Sequence, residues 1–227
     1  SSGRKFYDPT FLSCTKLLAH ITKTHFGFNP GDLDDLVYWA DLIDGARYPD
    51  ATTAVEMKDP ATRITLVIEG TADPDFGSRI IPELASRPLA EIAAMPRVRD
   101  EFEQLRAQHL DWMEIIRARG ELQDGVLFFD VSGENREGFN KFIPYYLFPD
   151  AVYTVSVSRS PGRIKIAVGS SPWKTPAKKA NLASICERYG GGGHAKVAAI
   201  SLPPDDLTAA QTIARHIVEE LRSAPAS

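Results

Sequence analysis

Four consecutive glycines, Gly190-Gly191-Gly192-Gly193, run directly into His194. Each glycine loses more backbone freedom on folding than any other residue, so such a run inside a folded unit needs a reason. Flexible connectors carry Ser, Thr or Pro around their glycines and lie between domains. Here both flanks read as structure: a helix from Leu182 to Tyr189 and a strand from Lys196 to Leu202. Without Cβ atoms the backbone can approach a ligand closely, and successive N–H groups can converge on an anion. His194 adds a donor able to carry a proton near neutral pH. The run is therefore predicted to be a phosphate-gripping loop, with Gly190, Gly191, Gly192, Gly193 and His194 as its binding residues.

Charge is distributed in keeping with that. The chain is mildly acidic, with 26 Lys+Arg against 30 Asp+Glu, a poor surface for nonspecific nucleic-acid binding. Residues 151–200 nevertheless hold eight basic residues (Arg159, Arg163, Lys165, Lys174, Lys178, Lys179, Arg188, Lys196) and one acid, Glu187. A local basic zone around the glycines suits a phosphorylated ligand. Arg163, Lys165 and Lys196 are candidate further phosphate contacts. Trp173 and Tyr189 are candidate stacking partners for a base, although packing explains each as well.

At 227 residues and 43% hydrophobic, the chain can bury one large core or two small ones. Two cysteines, Cys14 and Cys186, on apolar helical segments argue against a disulfide framework and for a reducing, cytoplasmic setting. Aliphatic runs such as Leu66-Val67-Ile68 are too short to span a membrane, and no secretory leader is visible.

The first hundred residues read as helical. Asp8-Pro9-Thr10 offers a cap and an N-terminal proline, and Phe11, Cys14, Leu17, Leu18 and Ile21 recur at helical spacing. Further helices are predicted over Leu33–Ile43 (after a Gly31-Asp32 break), Thr53–Met57, Ala61–Glu69, Ser78–Ala85 and Arg97–Ala118. The period then changes. Val126–Val131, Tyr153–Ser158 and Ile164–Val168 read as strands, with Pro161-Gly162 as a hairpin turn. The glycine run and a strand over 197–202 follow, and Asp205 or Asp206 caps a final helix over Leu207–Leu221.

Residues 31–60 carry eight acids against Arg47 and Lys58. Helix N-termini favour Asp32, Asp34 and Asp35. Asp41 and Asp44 end an apolar helix, where the dipole disfavours carboxylates, so each needs a partner. Arg47 is one candidate and a divalent cation such as Mg²⁺ or Mn²⁺ is another. No histidine pair has zinc-like spacing with a cysteine. His20 and His25 flank a helix end, and His109 and His216 lie in amphipathic helices.

Tyr189-Gly190-Gly191-Gly192-Gly193-His194, followed by Ala198-Ala199, resembles the Gly-Gly-Gly-His signature of the C-terminal domain of DHH-family phosphoesterases. That family includes RecJ-like exonucleases, nanoRNases, cyclic-dinucleotide phosphodiesterases and exopolyphosphatase-like proteins. Residues 125–222 fit its substrate-binding domain in element order. Ala40-Asp41-Leu42-Ile43-Asp44-Gly45 resembles the family's fourth conserved segment, which makes Asp44 the implied metal ligand. The departures are an absent Asp-His-His triplet, no Asp-x-Asp segment closing a first strand, and Gly169 where many relatives carry a phosphate-binding Arg.

The resemblance implies an α/β protein. Residues 1–95 would be the helical C-terminal portion of a DHH catalytic domain, 96–120 a linker helix, and 121–227 a compact substrate-binding domain with a mixed sheet. The chain is then expected to be a C-terminal piece, inactive alone. The implied chemistry is two-metal (Mn²⁺ or Mg²⁺) hydrolysis of a phosphodiester or phosphoanhydride, with His194 as the catalytic donor to a phosphoryl oxygen. The implied partners are a phosphorylated small molecule or short single-stranded nucleic acid, with a homodimer possible. Two other readings are a catalytically inactive phosphate-binding module and an RNA-binding domain like that of alanyl-tRNA synthetase relatives.

Overall fold

The computed structural model describes residues 5–29, 33–134, 138–175 and 180–223. The Gly31-Asp32 break and Lys178 and Lys179 lie outside the described residues. The chain divides into two compact units, residues 1–107 and 108–227.

The first unit is helical throughout its described residues: α1 (Cys14–Phe26), α2 (Asp34–Asp44), α3 (Ala51–Glu56), α4 (Pro60–Gly70), α5 (Phe76–Leu84), α6 (Leu89–Ala94) and the first half of α7 (Pro96–Arg119). α1 begins later than the sequence suggests. Asp8 Oδ1 accepts from the Thr10 N–H at 2.9 Å and from its Oγ1 at 2.6 Å, closing a turn instead of a cap. Ser13 caps the helix by accepting from the Lys16 N–H at 3.1 Å, and Gly27 ends it at φ 66°. Asp50 caps α3 in the same way, 2.7 Å from the Thr53 N–H. Val67, Phe76, Ile80, Ile92 and Val98 make the centre of this unit's core.

The second unit is a sheet carrying helices. Its strands are β1 (Glu121–Gln123), β2 (Val126–Asp130), β3 (Tyr153–Ser160), β4 (Arg163–Ser170), β5 (Gly192–His194) and β6 (Val197–Leu202). They lie in the order β1-β2-β3-β4-β6-β5. β2 and β3 pair in parallel and every other neighbouring pair is antiparallel, so the sheet is mixed. A parallel pair needs a long crossover; residues 131–152 supply it and include α8 (Ile143–Leu147). Pro161-Gly162 forms the two-residue turn between β3 and β4, with Ser160 opposite Arg163.

Alternation along the strands sorts the two faces. Val155, Val157, Ile164, Ile166, Val168, Ala198 and Ile200 pack against α9 (Leu182–Glu187) and α10 (Leu207–Arg222). α10 presents Ala210, Ala214, Ile217, Val218 and Leu221, a helical-period stripe, to that core. The opposite face carries Thr154, Ser156 and Ser158 on β3 and Lys165, Ala167 and Gly169 on β4. Among the described residues no helix is long and apolar enough to cross a membrane.

Candidate functional site

The glycine run is not a loop of converging amides. The Gly190 N–H donates to the Glu187 carbonyl at 3.1 Å and the Gly191 N–H to the Cys186 carbonyl at 3.0 Å, closing the end of α9. Gly190 has φ +77°, the left-handed conformation that glycine adopts at helix ends. Gly192, Gly193 and His194 then form edge strand β5 beside Ala199, Ala198 and Val197 of β6. Two of the amides expected to grip an anion, those of Gly190 and Gly191, serve the end of the helix instead.

What the glycines provide is close approach. A Cβ on Gly191 would stand 2.4 Å from the Ala199 carbonyl oxygen, and one on Gly193 would stand 2.5 Å from that of Val197. Only a bare backbone lets β5 pair while its chain also closes α9. Gly192 differs: a Cβ there would meet nothing within 4 Å, because it points to the open face of the sheet.

His194 ends β5 at a turn held from two sides. The Ala195 carbonyl accepts from the Leu182 N–H at 3.0 Å, where α9 begins. The Lys196 carbonyl accepts from the Ser170 N–H at 2.9 Å and from its Oγ at 3.2 Å, where β4 ends. The imidazole is exposed, and so is Lys196. A donor placed on a turn this well tethered is presented to solvent at small entropic cost.

The remaining candidates are distributed around it. In register, His194 stands across from Val197, which stands across from Gly169. A Cβ on Gly169 would come within 3.1 Å of both Thr154 Oγ1 and Tyr145 OH, which are themselves 3.1 Å apart. Tyr145 is buried, and that burial pushes its phenol well above the usual range. The place where relatives are said to carry an Arg is thus filled by a hydroxyl pair. Trp173 packs on Phe142 at 5.4 Å and on Tyr145 at 6.3 Å, and Tyr189 packs against the core. Arg163 sits at the far hairpin end, about 20 Å along β4 from the Gly169 row, so the strand register does not bring it to His194.

The two candidate carboxylates also separate. Asp44, at the end of α2, is exposed. Asp41 is 5% exposed and bonded through Oδ2 to Lys16 Nζ at 2.8 Å and to Arg47. The Lys16 bond, with Arg47 beside it, holds the carboxyl below its usual range against the opposing effect of burial. The Arg47 partnership foreseen for these acids therefore falls to Asp41, which is buried and not solvent-facing. Its Oδ1 is buried without a hydrogen-bond partner among the described residues. That oxygen has the chemistry of a cation ligand. However, no group of three or more His, Cys, Asp or Glu side chains among the described residues comes together to hold a metal ion. The described residues by themselves do not make up a two-metal centre.

A cavity of about 520 Å³ in the second unit lies elsewhere, lined in part by Arg119, Phe128, Gln211 and Arg215. Its polar groups are matched internally: Arg119 with Glu134, Gln211 with Asp130, and Arg215 with Glu121 and the Phe128 ring.

The chain thus combines a helical unit with a mixed-sheet unit that carries a glycine edge strand. No family model and no curated protein sequence matches the chain. Solved structures do. A pGpG-specific phosphodiesterase, PggH, from Vibrio cholerae matches at a TM-score of 0.74 and 19% identity, covering 96% of this chain and 75% of its own. An exopolyphosphatase-related protein from Bacteroides fragilis matches at 0.53 and 14%, covering 96% and 59%. A DHH domain described as a member of the S1P family of ribosomal proteins matches at 0.50 and 14%, covering 86% and 52%. The chain therefore has the fold of the DHH-type phosphoesterases, and at these identities the likeness is one of fold. It spans less than two thirds of the second and third of these chains.

Proposed function

We propose that this chain is the substrate-holding part of a phosphoesterase that hydrolyses a phosphodiester or phosphoanhydride in a small nucleotide, short oligonucleotide or polyphosphate. The observation that carries the proposal is His194 on its doubly tethered turn, beside the open face at Gly192. From there the imidazole donates to a phosphoryl oxygen of the bound ligand, and Lys196, free of ion pairs among the described residues, adds charge alongside. Such a donor acts most where negative charge grows in the transition state. The similarity to a pGpG-specific phosphodiesterase and an exopolyphosphatase-related protein supports a short phosphorylated ligand. For Mn²⁺ or Mg²⁺, the exposed Asp44 stays the ligand that the sequence resemblance implies, since Asp41 is already neutralised by Lys16 and Arg47.

The test is binding, since the described carboxylates do not converge and turnover by these 227 residues alone is not expected. Calorimetric titration of AMP should give a dissociation constant that rises about tenfold or more in His194→Asn. An unchanged constant, or no AMP binding by the unaltered chain, removes the assignment. Mn²⁺-dependent hydrolysis by this chain alone would overturn the substrate-holding role as its whole contribution.

A further inference from the structure

The cavity of about 520 Å³ lies toward the other end of the strand order from His194. Phe128 and Asp130 of its lining belong to β2, which β3, β4 and β6 separate from β5, roughly 20 Å across the sheet. Its volume is that of a small-molecule site. Arg119 and Arg215 line it, and so do Glu121 and Asp130, so its charges cancel. Each of the four already has a partner: Arg215 has Glu121, Arg119 has Glu134, and Asp130 has Ser132 and Gln211. A phosphorylated ligand would meet no net charge there. What the lining has left to offer is neutral.

Two side chains carry that unused capacity. Gln211 donates one amide N–H to Asp130 Oδ2 at 2.7 Å. Asp130 is itself fixed, since its Oδ1 accepts from the Ser132 N–H at 2.9 Å and from the Ser132 hydroxyl at 2.6 Å. The Gln211 amide is therefore held in one orientation, with its nitrogen toward the carboxylate. Its second N–H and its Oε1, a donor beside an acceptor, have no partner among the described residues. Arg215 stands four residues further along α10, on the same side of the helix. Its guanidinium carbon lies 4.3 Å from the Phe128 ring centroid, which covers one face of the plane. No ring covers the other face among the described residues, and the side chain is 55% exposed. A guanidinium seated on one ring can stack a second planar group on its outer face.

We propose that this cavity binds the adenine base of a nucleoside, with Gln211 reading its edge and Arg215 stacking on its plane. The inference stands apart from the function proposed above and uses none of its residues. Adenine presents a 6-amino donor beside the N7 acceptor, the complement of the acceptor and donor that Gln211 has free. Bidentate pairing of that kind discriminates among bases. The base lies flat on the outer face of Arg215, so that Phe128, the guanidinium and the purine make one stack. No ion pair has to break for it to enter, because Glu121 keeps its bond to Arg215 at the guanidinium edge.

Calorimetric titration of the whole chain with adenosine and inosine tests this. Adenosine has no phosphate for His194 to hold, so its binding reports on the base alone. Inosine carries an acceptor at position 6 in place of the amine, and it is expected to bind about tenfold more weakly than adenosine. Gln211→Met is expected to weaken adenosine about tenfold and to bring the two nucleosides within about twofold of each other. Arg215→Lys keeps the charge beside Glu121 but has no plane, and it is expected to weaken adenosine about threefold to tenfold. His194→Asn is expected to leave adenosine within about twofold. The inosine comparison needs no substitution, so it decides the matter even where a variant folds poorly. Equal affinity for adenosine and inosine, or no loss in either cavity variant, overturns the site. A loss in His194→Asn equal to that in Gln211→Met puts the nucleoside at the glycine edge instead and also overturns it. Failure of the unaltered chain to bind adenosine overturns it outright. The function proposed above rests on AMP and His194, and it stands or falls separately.

Discussion

At the scale of single residues, the four glycines divide by what lies over each Cβ position. Gly191 and Gly193 face backbone at 2.4 and 2.5 Å, which cannot swing aside as a side chain can. Gly191→Ala and Gly193→Ala are therefore each expected to lower stability by about 2–3 kcal/mol in urea unfolding. Gly192→Ala should change it by less than about 0.5 kcal/mol, since that position is open. A flexible ligand loop would tolerate all three alike. Asp41 supplies a second contrast. Its carboxyl is held below the usual range by Lys16 first and Arg47 after, so its folded-state pKa is depressed. The stabilisation is then present above the unfolded carboxylate pKa of about 4 and is lost as pH falls through the lower folded-state value. With Lys16 and Arg47 half exposed, Asp41→Asn should cost about 1 kcal/mol at pH 7. That gap in urea midpoints should close progressively in acid below the unfolded carboxylate range. A gap that persists under strong acid would mean Asp41 acts by shape and not by charge.

At the scale of elements, legibility followed the strength of the local pattern. α10 and the β3–β4 hairpin were readable because each carries a clean period: one helical stripe from Ala210 to Leu221, and alternating Val and Ile about a Pro-Gly turn. β5 was not readable. Glycine has no side chain to alternate, and three residues cannot establish a period, so the segment presents as loop until its neighbour β6 is known. α1 misled for another reason. Asp8 and Ser13 both have capping chemistry, and only the contacts show that Asp8 is occupied by Thr10. α6 and α8 are a few residues long and apolar, too short for periodicity to separate them from strand or coil. The site followed the same rule. His194 was legible from its motif. The burial of Asp41 against Lys16 and Arg47 was not, because an acid at a helix end reads the same whether it faces solvent or the core.

At the scale of the whole molecule, the uneven charge and the two separate cores make one expectation. The chain carries a net charge of −4, while residues 151–200 are strongly basic and lie wholly within the second unit. That unit also holds its own core, from Val126 to Leu221, and the tethered turn that carries His194 and Lys196. At 120 residues, counted from 108 to 227, it is of ordinary domain size. Residues 108–227 expressed alone are therefore expected to fold cooperatively, since the second half of α7 brings its own buried anchors, Trp112 and Ile116. Ligand binding should go with them. The isolated unit is expected to bind AMP within about threefold of the whole chain, because His194 and Lys196 both lie inside it. Circular dichroism with urea titration checks the fold, and the same calorimetric titration checks the binding. A folded fragment that has lost binding would place an essential contact in residues 1–107.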